Sequence, residues 1–372
     1  MTLTKLDSTR VDTPVLLIVF NRPGPTERVF ARLREVKPSR LYLAADGPRG
    51  HVLEDREKCA KVREIVGNVD WECDVKTRFL DENIGCGKAV SGAIEWFLDE
   101  VGAGIILEDD TLPAKSFFPF AARMLEICRD DQRVASISGD CFLPERMQPA
   151  LSPAGTVGAC LSKYFNMWGW ATWKDRWTGY SLDLSTHSEE EWISIIERTH
   201  PKSLEASTWQ AIWMAMRAGI LDTWDFQFAF HAWARGQSHV VPTSNLVSNI
   251  GFDADATHTV DVSPVANLRT FEFDQLAVPE RLEIDEELDS LTFFLRHMEG
   301  LRLTLWLKEA FLLETRDRGE RIPFEKQLVQ LQQACNERMA LINKMSEKIR
   351  ELQTQATLTH QLKKVLRIAR KS

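Results

Sequence analysis

"GAGIILEDDTLP", Gly102 to Pro113, runs from small and apolar residues straight into three consecutive carboxylates, Glu108, Asp109 and Asp110. A continuous apolar run is the pattern of a strand covered on both faces, in which polar residues collect where the strand ends. Residues 104–110 therefore read as a buried strand whose carboxyl end concentrates negative charge.

Four other segments read in the same way: PVLLIVF (14–20), RLYLAAD (40–46), VKTRFL (75–80) and RVASISGD (133–140). Amphipathic stretches of helical length lie between them. This alternation predicts βαβ units and an α/β fold with a mostly parallel central sheet. Ligands of such sheets bind at the carboxyl ends of the strands. Asn21 and Arg22, Asp46 and Gly47, and Glu108 to Asp110 each follow an apolar run, so three strands deliver polar residues to one edge.

From Gly158 onward tryptophans and turn residues crowd into NMWGWATWKDRW (166–177) and LDTWDFQFAFHAWARG (221–236). This part reads as an acceptor-facing cover packed on the sheet. Residues 266–322 read as a helical extension, with a helix start in VPERLEIDEELDSL and an amphipathic helix in LRLTLWLKEAFLLETR.

Over 323–372, Leu328, Leu331, Cys335, Arg338, Ile342, Met345, Ile349, Leu352, Ala356 and Thr359 follow alternating steps of three and four. That spacing predicts a coiled coil, weakened at Arg338 and Thr359, and makes 323–360 a candidate for self-association or a partner. The last stretch, LTHQLKKVLRIARKS (358–372), carries five basic residues and no acidic ones. Leu362, Val365, Leu366 and Ala369 can share a face bordered by Lys and Arg, as in an interfacial helix on an anionic membrane. A solvated helix end is the competing reading.

The net charge of -8 leaves no broad basic face for duplex nucleic acid, which is therefore not an expected partner. Seven scattered cysteines without a C-x-x-C pair suit a reduced, cytosolic setting. The polar N-terminus has no signal-peptide pattern, and no apolar run approaches the ~20 residues of a membrane-spanning helix. The expected location is cytoplasmic, peripheral at the inner face of the membrane if the basic end binds lipid.

Adjacent carboxylates shielded from water repel, and at least one pKa rises unless a cation compensates. A divalent ion supplies that compensation, and hard oxygen ligands suit Mg2+ or Mn2+. Magnesium commonly binds through one or two carboxylates together with substrate phosphates, so a diphosphate is the implied ligand. An acidic triplet in an ordinary surface loop is the alternative, against which its position after a buried-looking strand argues.

The order FNRP (20–23), AADG (44–47), ENIGCGKA (82–89) and ILEDDTLPAKSFF (106–118) resembles a GT-A glycosyltransferase. The resemblance is to the N-acetylglucosaminyltransferase I family and to bacterial family 2-type glycosyltransferases. It implies a GT-A, or nucleotide-diphospho-sugar transferase, fold over 1–265, with a donor half at 1–140 and an acceptor half at 141–265. It also implies a nucleotide-sugar donor, with a UDP-sugar favoured, and a glycan or lipid-linked acceptor. Under it the acidic triplet is a variant of the D-x-D motif. Asp110 is the direct metal ligand, Glu108 and Asp109 face the ribose or sugar, and Asn21, Arg22 and Asp46 hold the nucleotide.

Sugar transfer also needs a carboxylate apart from the metal, to take the proton of the acceptor hydroxyl. Asp225 in DTWDFQF is the candidate, because flanking Trp224 and Phe226 lower the local dielectric and keep it basic. Asp222 is the second choice. The resemblance points the same way, since that family places its base in a Trp- and Asp-rich segment after a Gly-Trp segment, here TWDFQF (223–228) after WGWATW (168–173). An N-cap or a partner of a core tryptophan is the plainer role for Asp225.

NLVSNIGFDADATHT (245–259) reads as a loop returning to the site, with His258 a candidate for the metal or the diphosphate and a solvated histidine as the alternative. Lys88, after Gly85 and Gly87 at a helix start, is placed for an anion, although GCGKA is not a Walker motif and a packing role competes. Gly169 and Trp170 are placed near the site without an assigned contact, against the reading of WGWATW as core.

These residues predict a metal-dependent, inverting transfer by single displacement. The rivals are a nucleotidyltransferase on a related sheet, which would release pyrophosphate or phosphate, and a scaffold that works through the coil.

Overall fold

The computed structural model describes residues 2–6, 11–143, 148, 155–217, 219, 221–252 and 266–296. The first half of the chain forms β1 (Thr2–Lys5), β2 (Val15–Val19), α1 (Pro23–Val36), β3 (Arg40–Ala45), α2 (Asp55–Gly67), β4 (Asp74–Phe79) and α3 (Cys86–Val101). There follow β5 (Ala103–Glu108), β6 (Thr111–Pro113), α4 (Phe117–Ile127), β7 (Val134–Ser138), β8 (Thr156–Ser162), β9 (Trp170–Trp173) and α5 (Lys174–Trp177). The remainder is α6 (Glu189–Thr199), α7 (Ser203–Arg217), α8 (Asp225–Ala234), β10 (Ser238–Pro242), β11 (Val247–Asn249), β12 (Gln275–Val278) and α9 (Glu286–Arg296).

Ten strands form one mostly parallel sheet in the order β1-β12-β8-β10-β7-β9-β5-β2-β3-β4. The β4-β3-β2-β5 stretch is parallel throughout, and β9 lies between β5 and β7 antiparallel to both. From β2 the chain moves outward to β3 and β4, then returns to place β5 on the other side of β2. The strand order reverses between β2 and β5, and a crevice opens at the carboxyl ends of such a pair. Ile18 pairs with Glu108, so Phe20 to Arg22 and Asp109 to Asp110 leave the sheet side by side.

The period-two rule of a strand explains the layers. Val15, Leu17 and Val19 of β2 point into a core shared with Val29, Phe30 and Leu33 of α1 and Phe117 and Phe120 of α4. Leu16 and Ile18 point the other way, to Ala93, Ile94 and Phe97 of α3 and to the tryptophan-rich layer of α6, α7 and α8. The result is helices on both faces of the sheet, with each fully buried aliphatic or aromatic side chain contributing roughly 1.5–3 kcal/mol.

The five apolar segments read from the sequence are β2, β3, β4, β5 and β7. The tryptophan-rich part is not a separate cover: WATW is β9, inside the sheet. Strands from the expected donor and acceptor halves interleave, since β9 sits between β5 and β7 and β10 beside β7. Residues 266–322, expected as a helical extension, contain a strand instead, because β12 fills the place between β1 and β8 in the main sheet. A four-residue strand whose neighbours are distant in sequence leaves no periodicity to read. The helix start in that segment is present: the Asp285 side chain accepts the N–H groups of Glu287 and Leu288 at the head of α9. The coiled-coil stripe over 323–372, its basic end and the amphipathic helix of 301–316 lie outside the described residues. No helix among the described residues is long and apolar enough to cross a membrane.

Candidate active site at the carboxyl edge of the sheet

Arg22 stands at the N-cap position of α1, directly after β2, with Pro23 opening the helix. Its Nη2 lies 2.5 Å from Asp109 Oδ1 and 2.8 Å from Asp110 Oδ2, bridging the crevice between β2 and β5. Asp109 also accepts the Phe20 N–H at 3.2 Å and is 4% exposed. Its carboxylate is thus turned into the protein and braces two strand ends, rather than facing the ribose or sugar as the resemblance implies. Burial is the largest influence on Asp109 and pushes it up to about 6, with Arg22 pulling down and Asp110 pushing up.

Glu108 differs from its neighbours. It is half-buried, and its carboxylate has no hydrogen-bond or ion-pair partner among the described residues. Burial, then the charges of Asp110, Asp109 and Asp225, push it well above the usual carboxylate range, while Arg22 opposes. The compensation assigned to a divalent ion is therefore supplied in part by Arg22, and Glu108 is left uncompensated.

The turn that displays the triplet is locked locally. Thr111 Oγ1 accepts the Glu108 N–H at 2.8 Å, and β6 then pairs antiparallel with β11. Ile250 donates its N–H to the Asp110 carbonyl at 2.8 Å. At Gly251 a Cβ would strike Asp110 Oδ2 and Arg22 Nη1, so only glycine lets the chain pass this close to the ion pair. The returning loop expected from 245–259 does reach the site over 245–252, whereas His258 lies outside the described residues.

Asp46 closes β3. It accepts the N–H groups of Gly47 and Ile84 at 2.8 and 3.1 Å and Asn83 Nδ2 at 2.8 Å, so it clamps the loop before α3. Burial pushes its pKa up against those hydrogen bonds. Asn21 donates to Asp55 Oδ1 at 2.8 Å, and Asp55 is gripped by Arg49 through Nε at 2.6 Å and Nη2 at 3.0 Å. Lys88, in the first turn of α3, is exposed and has no polar partner among the described residues.

Asp225 opens α8 and is 8% exposed. One oxygen takes the Thr223 hydroxyl, and Arg296 Nη2 stands 3.9 Å from the other. Its charge acts on Glu108 of β5 and on Cys86 at the head of α3. Cys86 also feels Glu108, Asp222 and Asp46, and burial with this acidic surround pushes its thiol up to about 12. Asp222 is exposed and accepts the Gly87 N–H at 3.2 Å.

Gly169 has φ +69°, and a Cβ there would press on Val247 and Leu107, so it serves the close approach of β9 to β11. Trp170 is fully buried and stacks on Trp224 at 5.5 Å, which leaves no face for a ligand. Its expected place among ligand-binding residues is corrected to a core one: its strand position points it into the second layer. The half-buried Trp168 is the tryptophan of that segment near polar groups, with its backbone N–H donated to Asp140 Oδ2 at 2.9 Å.

Among the described residues no three His, Cys, Asp or Glu side chains form a ready metal cage. The donor set still fits a hard cation that arrives with phosphates: Glu108 has an unpartnered carboxylate beside Asp110, and magnesium needs one or two such ligands from the protein. Sequence reasoning passed over Asp140, although RVASISGD ends a buried strand on an acid just as GIILEDD does. It also passed over Asn83, Arg49 and Asp55. Arg296 left no local signal, since it reaches the site from the far end of α9.

No protein-family model matches the chain, and no curated protein does. A solved structure, HddC from Yersinia pseudotuberculosis, is similar at 11% identity and a TM-score of 0.26, covering 44% of this chain and 77% of that one. A likeness of that size carries no argument about function.

Proposed function

We propose that the protein is a metal-dependent, inverting glycosyltransferase of GT-A type that moves a sugar from a nucleotide-sugar donor, with a UDP-sugar favoured, to a glycan or lipid-linked acceptor. One observation carries this reading: Glu108 at the end of β5 lies within electrostatic reach of Asp109, of Asp110 and of Asp225 at the head of α8, at the point where the strand order reverses. Charge repulsion makes such a gathering costly unless a cationic or metal-bearing ligand shares the space.

Asp225 takes the proton of the acceptor hydroxyl as its oxygen forms a bond to the anomeric carbon. The bond from that carbon to the diphosphate breaks, and its electron pair leaves on the phosphate oxygen. Asp110 and Glu108 would hold a Mg2+ or Mn2+ ion, which when bound neutralises the departing nucleoside diphosphate. Arg22 keeps Asp109 and Asp110 in register across the crevice, and Asp46 holds the loop that starts α3. Lys88 is free to meet an anionic group at that helix start.

The test is a panel of nucleotide sugars, with and without divalent metal, on the wild type, Asp110→Ala and Asp225→Asn. Release of nucleoside diphosphate with inversion at the anomeric carbon is expected. Release of pyrophosphate, or retention of configuration, would remove the role given to Asp225.

A further inference from the structure

A charged side chain buried only to dock a helix is an expensive choice, because an apolar residue of similar size does as well. Arg296 is such a side chain, 11% exposed, at the end of α9. Seven residues earlier on the same helix face, Asp289 accepts the Ser162 hydroxyl at 2.5 Å and the Lys163 N–H at 3.1 Å, so α9 is already docked on the end of β8.

The guanidinium is fixed by groups other than Asp225. Nη1 donates to the Phe165 carbonyl at 2.8 Å and to Asn166 Oδ1 at 3.0 Å, and Nη2 lies 2.8 Å from Met167 Sδ. The rings of Phe142 and Trp168 flank it at 5.2 and 6.0 Å. Held in this way, Nη2 stands 3.9 Å from Asp225 Oδ2.

We propose that Arg296 is the positioning residue of Asp225: a guanidinium delivered by α9 that holds the carboxylate in place at the acidic edge. The functional meaning rests on the transferase reading above; the physical coupling does not. The groups facing Asp225 come from several elements: the Thr223 hydroxyl before α8, Glu108 of β5, Cys86 of α3, Tyr180 after α5, and Arg296 of α9. Of these Arg296 carries the positive charge.

A second carboxyl, Asp140 at the end of β7, lies within electrostatic reach of Arg296 and is fully buried. Its Oδ1 has no hydrogen-bond partner among the described residues. Burial pushes Asp140 well above the usual carboxylate range, against the pull of Arg296.

The experiment compares the full-length wild type with Arg296→Gln and Arg296→Lys. Carboxyl NMR of 13C-aspartate-labelled protein, with Asp225 assigned through Asp225→Asn, needs no donor or acceptor. The Asp225 carboxyl signal is expected to shift in Arg296→Gln, as the carboxylate loses its fixed partner, and to return most of the way in Arg296→Lys. Arg296→Met, which keeps an unbranched stem between Phe142 and Trp168, replaces the glutamine variant if that does not fold. An unmoved signal overturns the proposal.

With an active donor and acceptor pair, Arg296→Gln is expected to lower kcat about 10- to 100-fold with little change in donor KM, and Arg296→Lys to recover most of that loss. Lost thermal stability with an unchanged kcat would mean docking alone and also overturns it. A wild type that transfers no sugar sinks the transferase reading while the NMR result still decides this one.

Discussion

Asp222 accepts the backbone N–H of Gly87 at 3.2 Å and so ties the segment before α8 to the first turn of α3. Asp225, three residues later, takes the Thr223 hydroxyl on one oxygen, has Arg296 Nη2 3.9 Å from the other, and acts electrostatically on Glu108. The two candidate bases thus separate by what they touch: one satisfies a helix start, the other stands beside a guanidinium.

Their substitutions should separate likewise. Asp222→Ala is expected to cost about 1 kcal/mol of stability, through a lost hydrogen bond, with the pH profile of transfer retained. Asp225→Asn is expected to lower kcat by about 10²–10⁴ while donor binding and unfolding midpoint stay near wild type. Steady-state kinetics beside urea unfolding reads both, and an equal kcat loss in the two variants would contradict the assignment.

Arg22 is the shared counter-charge of Asp109 and Asp110, and neither pair is exposed enough for water to replace it. Arg22→Met leaves two shielded carboxylates without their cation, at an expected cost of about 3–5 kcal/mol. Chemical denaturation near neutral pH measures it. A loss below about 1 kcal/mol, the range of a solvated surface pair, would mean that water screens the site.

Arg49, followed by burial acting in the opposite sense and by Asn21, sets the Asp55 carboxylate, and the net effect pulls it down to about 2. A folded-state value below the unfolded one stabilises the protein above the unfolded pKa and is lost as pH falls through the folded one. The wild type should therefore lose more thermal stability than Asp55→Asn on going from about pH 5 to about pH 3. Parallel melting curves at the two pH values test this, and identical slopes would count against it.

Trp170 is fully buried and packs on Trp224, Phe165 and Phe228. Trp170→Ala is expected to destabilise the fold by about 3–5 kcal/mol, as a large cavity does. Donor KM of the protein that remains folded should be unchanged. A raised KM with an intact unfolding midpoint would return Trp170 to the binding residues.

Much of the fold was legible because a strand covered on both faces has a local signature. Each of β2, β3, β5 and β7 is a run of residues that must all leave water, and the sequence shows that directly. The acidic ending of β5 was readable for the same reason, and Asp140 at the end of β7 carried the same signal unread. β8, β9, β10 and β12 were not legible, because their places depend on partners far along the chain. β9 in particular hides in an aromatic stretch that reads equally well as a binding platform.

The amino-acid sequence by itself determined that apolar strands end in polar residues, that Glu108, Asp109 and Asp110 share one turn, and that an acid follows Trp224. These are one-dimensional facts, set by which side chains water rejects. Which carboxylate meets which cation was decided only in three dimensions. Arg22 is 87 positions from Asp109, and Arg296 belongs to a helix docked through Asp289 onto β8. Charges act through space rather than along the chain, so the pairing of Arg22 with the triplet and of Arg296 with Asp225 exists only once the sheet has brought its strand ends together.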